Sequence, residues 1–193
     1  MKRETSIAKK EMILDGALAL FKQKGFTAVS TRDLAEYTGL SRSHIYHYFS
    51  DWKALCLSAF ERFIHQELDE IQHIVAPLSP KEALSTLLRY NLPDSQDAAW
   101  TLYIDLWNIS LYDTDFAACY LAGIHDLDAV LTDILRTGAE QGIFKIDDVE
   151  CRTRQISSIT NGYADDLMLS PSHDDAEKAF GEIMDVVTCL IYS

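Results

Sequence analysis

The run from Ser30 to Lys53, STRDLAEYTGLSRSHIYHYFSDWK, leaves this chain few options. Ser30 followed three residues later by Asp33 is a near capping box, which starts a short helix by giving partners to backbone N–H groups that have none inside it. Leu34 and Ala35 then face inward, and Gly39 supplies the left-handed residue that ends the helix. Leu40 plugs the turn, and Ser41 caps a second helix, Arg42 to Phe49. Ile45 and Phe49, four apart, form its buried edge. Arg42, Ser43, His44, Tyr46, His47 and Tyr48 are left facing outward. Two tyrosines, two histidines and an arginine on so short a surface suit phosphates and base edges better than bulk water. Two short helices joined in this way make a helix-turn-helix, with the second helix built to lie in a DNA major groove. The competing reading is a helical hairpin in an ordinary bundle, with the aromatics as core.

The net charge of −13 fits a DNA binder only once it is divided. From Met1 to Leu55 nine Lys and Arg stand against six acids, a balance of +3, and the remaining residues carry eight basic and 24 acidic groups, a balance of −16. A polyanion is therefore expected at the N-terminal module and repelled elsewhere. Lys2, Arg3, Lys9 and Lys10 are candidates for a flanking phosphate or minor groove; a frayed, solvated terminus is the alternative.

The segment from about Ile7 to Leu55 resembles the tetracycline-repressor (TetR) family of one-component bacterial regulators. The resemblance is carried by Ala17, Phe21, the KGF of Lys24 to Phe26, the STRDLAEYTGLS run, and the IYHYF run from Ile45 to Phe49. It implies a DNA-binding set of Thr31, Arg32, Arg42, Ser43, His44, Tyr46, His47, Tyr48 and Lys53. One departure stands out: where the family usually has a phosphate-gripping Lys, this chain has Trp52, and Lys53 follows it. Two arrangements accommodate this: Lys53 takes over the phosphate contact, or the helix start at Asp51 is tilted.

Beyond the reading head, amphipathic helices are expected at about Asp51 to Val75, Pro80 to Asn91, Asp97 to Tyr112, Asp115 to Gln141, Asp147 to Leu169 and His173 to Tyr192. The punctuation is Pro77, Pro93, the Gly142 turn, Asp147 as a cap with Glu150 at its third position, and Pro171 before Ser172 and Asp175. No segment alternates with a period of two for long. The fold class is all-α with about nine helices: a helix-turn-helix DNA-binding domain over 1–50, and a ligand-sensing and dimerisation bundle over 51–193. No apolar run approaches membrane-spanning length and no signal segment opens the chain, so a cytoplasmic protein without membrane contact is expected. The cysteines Cys56, Cys119, Cys151 and Cys189 are scattered, without a CxxC pair, and read as reduced thiols.

Three C-terminal regions suggest function. On WTLYIDLWNISLY, Trp100, Ile104, Trp107 and Leu111 form one stripe, with Thr101, Asp105, Asn108 and Tyr112 beside it. Aromatic faces next to a carboxylate suit a cationic, partly apolar ligand, an attraction of about 0.5–2 kcal/mol. Tyr103, Phe116, Tyr120, Tyr163 and Asp166 are candidates to complete that pocket. The alternatives are tryptophans as plain core with Asp105 in water, and a solvated acidic turn around Asp165 and Asp166. The WNISLYDTDF stretch with the NGY segment is also similar to the betaine-regulator branch of the family, which implies a small osmolyte cation as effector. Third, Ile156, Ile159, Tyr163 and Leu167 on the next-to-last helix, and Phe180, Ile183, Met184, Val187 and Leu190 on the last, present apolar faces that something must bury. Ser158 and Gly162 allow close helix approach; packing within the chain is one way to bury part of these faces, and the resemblance implies a four-helix homodimer interface there.

Glu61, His65, Asp69 and His73 recur every four residues, but the two histidines lie about 12 Å apart along a helix, too far for one ion, so no metal site is expected. No P-loop, GxGxxG, HExxH or nucleophile elbow is present, so neither an enzyme nor a cofactor is expected. The sequence reads as a ligand-responsive regulator, a homodimeric repressor released from a palindromic operator by a small cationic effector such as a polyamine or quaternary ammonium compound. The alternative is an inducer-independent DNA-binding regulator whose C-terminal part serves only dimerisation or a protein partner. An enclosed cavity near Trp107 would favour the first, and solid packing there the second.

Overall fold

The computed structural model describes the backbone of residues 2–192 and the side chains of residues 6–192. The side chains of Lys2 and Arg3, candidates for a flanking DNA contact, lie outside the described residues. The described chain contains nine α-helices and no strand: α1 (Lys2–Lys24), α2 (Thr31–Thr38), α3 (Arg42–Ile45), α4 (Trp52–Val75), α5 (Pro80–Tyr90), α6 (Ala98–Ser110), α7 (Thr114–Glu140), α8 (Val149–Leu169) and α9 (His173–Tyr192). A single 3-10 turn, Phe26–Ala28, links α1 to α2. None of the described helices is long and apolar enough to cross a membrane.

Packing groups these elements into two compact units, residues 1–66 with 98–123, and residues 67–97 with 124–193. The division cuts α4 and α7 and also falls just before α6, so each unit is built from two separate stretches of the sequence. The linear division at residue 50 describes sequence order; by packing, α6 and the start of α7 join the N-terminal helices.

The first unit is built on α1, whose Ile13, Leu14, Ala17, Leu18, Leu20 and Phe21 are buried at helical spacing. Leu34 of α2, Ile45 and Phe49 around α3, Leu55, Phe60 and Phe63 of α4, and Leu102 and Leu106 of α6 close over them. Its centre is aromatic: Phe60 lies 6.0 Å from Phe21 in a stacked pair, 5.2 Å from Phe26 and 6.0 Å from Phe116. Each such pair adds roughly 0.5–1.5 kcal/mol beyond the area it buries.

The second unit packs Ile71 and Val75 of α4 with Leu84, Leu87 and Leu88 of α5, Leu131 and Leu135 of α7, Ile156 and Leu167 of α8, and Ile183 and Val187 of α9. Ser79 and Glu82 form a capping box, and Pro80 at the first helical position costs no hydrogen bond there. The turn after α7 is tight: the N–H groups of Ile143 and Phe144 both donate to the Gly138 carbonyl, at 2.8 and 3.0 Å. A Cβ on Gly138 would stand 2.1 Å from the buried Phe144 ring, so only glycine fits. The cap of α8 is Asp148, whose carboxylate accepts from Cys151 N–H, and not Asp147. The two are adjacent acids, and sequence alone does not rank them.

Candidate nucleic-acid interface

The head follows its local chemistry closely. The Ser30 hydroxyl accepts from Asp33 N–H, and Asp33 accepts from Ser30 N–H at 2.9 Å, so the capping box is complete. Lys24 adds an ion pair to Asp33 at 2.8 Å, and that ammonium, with Ser30, holds the Asp33 carboxyl well below the usual carboxylate range. Gly39 ends α2 at φ 69°, in the left-handed region where a side chain would be strained. Ser41 caps α3 by accepting from His44 N–H at 3.2 Å.

Regular α-helix in the second element stops at Ile45, short of the expected Phe49. The backbone still coils: Tyr46 N–H donates to Arg42, His47 to Ser43, and Phe49 to Ile45. Tyr48 N–H donates three residues back, also to Ile45, which tightens the last turn. Ile45 and Phe49 are buried and Arg42, Ser43, Tyr46 and His47 exposed, as expected, whereas His44 and Tyr48, also expected to face outward, are half-buried because their rings stack on one another and Tyr48 packs against the core. The His44 ring stacks on Tyr48 at 5.7 Å, and His47 meets the same ring edge-on at 5.3 Å. The Tyr46 hydroxyl and the Thr31 hydroxyl are 2.8 Å apart, which ties the two elements together on the exposed side. Arg32 pairs with Glu36 within α2. Lys10 lies 5.4 Å over the Phe49 ring, beside the end of the recognition segment, and Lys9 is half-buried.

Lys53 is engaged on its own side of the molecule. Its ammonium is 2.7 Å from both Asp113 and Asp115, at the turn between α6 and α7. The two carboxylates raise its pKa, Asp113 more than Asp115, and Lys53 in return lowers that of Asp113. Trp52 packs on the core, with its indole 6.3 Å from Phe21. Asp51 caps α4 by accepting from Ala54 N–H at 2.8 Å. Sequence reasoning missed Asp113 and Asp115 as partners, since they lie about sixty residues downstream and no spacing rule connects them to Lys53.

The expected effector residues divide between the two units. Trp100, Tyr103, Asp105, Trp107, Asn108, Tyr112, Phe116 and Tyr120 belong to the first, and Tyr163 and Asp166 to the second. On α6 the buried pair is Leu102 and Leu106. The tryptophan stripe turns outward, with Trp100 half-buried and Trp107 49% exposed. Trp107 is therefore neither in an enclosed cavity nor in the core. Tyr112, at the end of that helix, is 91% exposed. Tyr103 packs on Phe63 at 4.9 Å and on Trp100 at 5.8 Å, Phe116 is core, and Tyr120 is half-buried. Asp105 does not point to water: its carboxylate accepts from the Phe26 backbone N–H at 3.1 Å. In the second unit the Tyr163 hydroxyl donates to Glu182 at 2.8 Å, a clip between α8 and α9, and Asp166 is exposed. That unit also holds a small cavity of about 20 Å³, lined by Leu87, Leu88, Asn91, Asp128, Thr160 and Asn161 among others. It has room for about one water.

Comparison with known proteins adds the following. A family model described as bacterial regulatory proteins, tetR family, matches residues 13–59, and one described as the C-terminal part of BetI-type transcriptional repressors matches residues 80–187. The HTH-type transcriptional regulator YerO of Bacillus subtilis is 33% identical over 92 residues, 46% of this chain and 32% of that protein, so the chain spans about a third of that relative's length. A TetR transcription regulator from Haloarcula marismortui superposes with a TM-score of 0.83 at 17% identity, over 95% of this chain and 98% of that one. A transcriptional regulator from Saccharomonospora viridis, solved in complex with choline, superposes with a TM-score of 0.80 at 20% identity, over 96% and 98%. At these identities the structural likeness is one of fold.

Proposed function

The chain belongs to the tetR family of bacterial regulatory proteins, with a C-terminal part of the BetI type, and from that premise we propose that it is a homodimeric repressor released from a palindromic operator by a small cationic effector. The family is one of transcriptional regulators, not of enzymes. The observation that carries the reading is the doubly capped α2–α3 element, which presents Tyr46, His47, Arg42 and Ser43 to solvent over a buried Ile45 and Phe49. Thr31, Arg32, His44, Tyr48 and Lys53 complete the proposed contact set. One such element reads too few base pairs alone, and two heads about 34–36 Å apart would read a palindrome. Of the apolar residues expected at a homodimer interface, Ile156, Leu167, Ile183 and Val187 are buried inside the chain's own core, whereas Ile159, Tyr163, Phe180, Met184 and Leu190 are only partly buried. These, with exposed Val186 and open space above Gly162 and Gly181, support a second copy packing on α8 and α9.

The effector reading rests on α6. Trp100, Trp107, Asn108 and Tyr112 lie on its accessible side, and Asp105 of the same helix holds the Phe26 amide of the head. A cation drawn to these aromatic faces and to Asp105 competes with that amide, and the head loosens as the amide loses its partner. The choline bound by the Saccharomonospora viridis regulator supports a quaternary ammonium compound as the class. An effector releases the operator only to the extent that it prefers the loosened state, and a thousandfold loss of affinity needs about 4 kcal/mol of coupling.

A second reading, an inducer-independent regulator, is favoured by the exposure of Trp107, which stands on the surface and not in an enclosed cavity. One experiment separates the two. A duplex is selected from a random oligonucleotide pool, and release of the protein from it is followed as choline, betaine and polyamines are titrated. Release by a cation supports the first reading; a selected duplex that no cation releases supports the second; and failure to select any duplex refutes both.

A further inference from the structure

The start of α4 and the α6–α7 turn are joined by charge. Lys53 Nζ stands 2.7 Å from Asp113 Oδ2 and 2.7 Å from Asp115 Oδ2. Neither side of this contact swings freely. Asp113 accepts from the N–H groups of Asp115 and Phe116 at 3.0 and 3.5 Å, and Phe116 is anchored against Phe26 and Phe60. On the opposite side, Trp52 packs against Phe21 and Asp51 caps the helix. The Lys53 side chain is 43% exposed, so its ammonium stays within reach of a large anion. A cation of the basic module is thus already matched by two carboxylates, and the spot carries one more negative than positive charge.

We propose that Asp113 and Asp115 set the affinity of this chain for DNA by competing with a backbone phosphate for Lys53. The proposal rests on the DNA-binding reading above. Phosphate binding at the start of α4 becomes an exchange, in which the phosphate takes the ammonium and the two carboxylates, released but still close, oppose it. Asp113 lies in the turn that ends α6 and Asp115 in the first turn of α7, directly after the helix whose Asp105 also holds the Phe26 amide. Movement of α6 therefore changes how tightly Lys53 is held.

The test compares wild type, Asp113→Asn/Asp115→Asn, Lys53→Gln and the triple variant, using a fluorescent duplex recovered by selection from a random pool and a salt titration. Asparagine keeps the capping role of Asp113. With Lys53 freed, the double variant is expected to bind about fivefold more tightly at about 0.1 M salt and to steepen the log–log salt slope by up to about 0.9 for each head, because in wild type the carboxylates released by the exchange take up cations and offset those the phosphate gives up. The triple variant should lose that gain. If the double variant matches wild type in affinity and slope while wild type binds the duplex, the competition is absent although the DNA reading stands. If the triple variant keeps the whole gain, the acids act as bulk charge and not through Lys53, which also overturns the proposal. If no variant binds any duplex, the DNA reading falls and takes the proposal with it. Asp115→Asn alone serves if the double variant fails to fold, since Asp115 is 63% exposed; it is expected to give part of the gain, and no gain would count against the exchange.

Discussion

Asp105→Ala removes the acceptor that α6 lends to the head. The Phe26 amide lies just beyond α1, after Gly25, whose own N–H is used by Phe21 at 2.9 Å. Its partner is the Asp105 carboxylate at 3.1 Å, in a partly buried setting. A hydrogen bond to a charged group contributes about 1.5–3 kcal/mol, and partial burial places this one near 1.5–2. For a chain of this length each kcal/mol lowers Tm by roughly 2–4 °C, so the alanine variant should melt about 3–8 °C below wild type. Exchange of the Phe26 amide should accelerate about tenfold or more, because every 1.4 kcal/mol is a factor of ten in the opening equilibrium. Asp105→Asn keeps an oxygen in place, so it should lose less than half as much in both measurements. The same asparagine variant removes the negative charge, so it should respond less to a cationic effector while still binding operator. Thermal melts with amide exchange, followed by operator release under choline, test all three expectations. An alanine variant with wild-type melting and wild-type protection at Phe26 would refute the view that this bond holds the head, and with it the proposed route from α6 to DNA.

Tyr46→Ala is expected to weaken operator binding about tenfold or more, since a good groove contact contributes roughly 1–3 kcal/mol. It should leave the melt nearly unchanged, because the ring is 41% exposed; unaltered affinity in a salt-controlled shift assay would remove it from the interface. Gly138→Ala drives a Cβ into the Phe144 ring, and overpacking of this kind costs about 1–3 kcal/mol in urea denaturation; a neutral result would mean that the turn relaxes freely. Burial pushes the Cys56 thiol up to about 12 and the Cys119 thiol up to about 11. The unfolded chain ionises both near the ordinary thiol value of about 8.5, so between there and about pH 11 the folded state binds more protons and stability falls as pH rises. Cys56→Ala should make that fall shallower by about one proton, read from denaturation midpoints under reducing conditions at about pH 8 and about pH 10; an identical fall would mean that this thiol ionises in the folded state.

The head was legible in the sequence because its determinants are local. The Ser30–Asp33 box, the Ser41–His44 cap and the Gly39 turn each span three or four residues, and Ile45 and Phe49 are one helical turn apart. Hydrogen bonds of that reach are set by residue type and spacing alone, so the all-α class and the exposed set on the recognition segment could be written down before any packing was known. The extent of regular helix could not: the tightened last turn ends it at Ile45, a detail of backbone geometry that residue type does not fix.

Tertiary structure alone decided what α6 does. Its apolar residues, Trp100, Leu102, Tyr103, Ile104, Leu106, Trp107 and Ile109, spread over more than half of the helix circumference, with the polar Thr101, Asp105 and Asn108 on the rest, so periodicity does not choose which part of that wide apolar side is buried. Packing in the first unit chose Leu102 and Leu106 and turned Trp107 outward. It also gave Asp105 a backbone amide 79 positions away, and gave Lys53 two carboxylates about sixty positions downstream. Nothing in residue spacing encodes partners at that separation. They exist because a buried aromatic core brings distant segments together, and the charges and amides at its edge then pair with whatever is carried alongside.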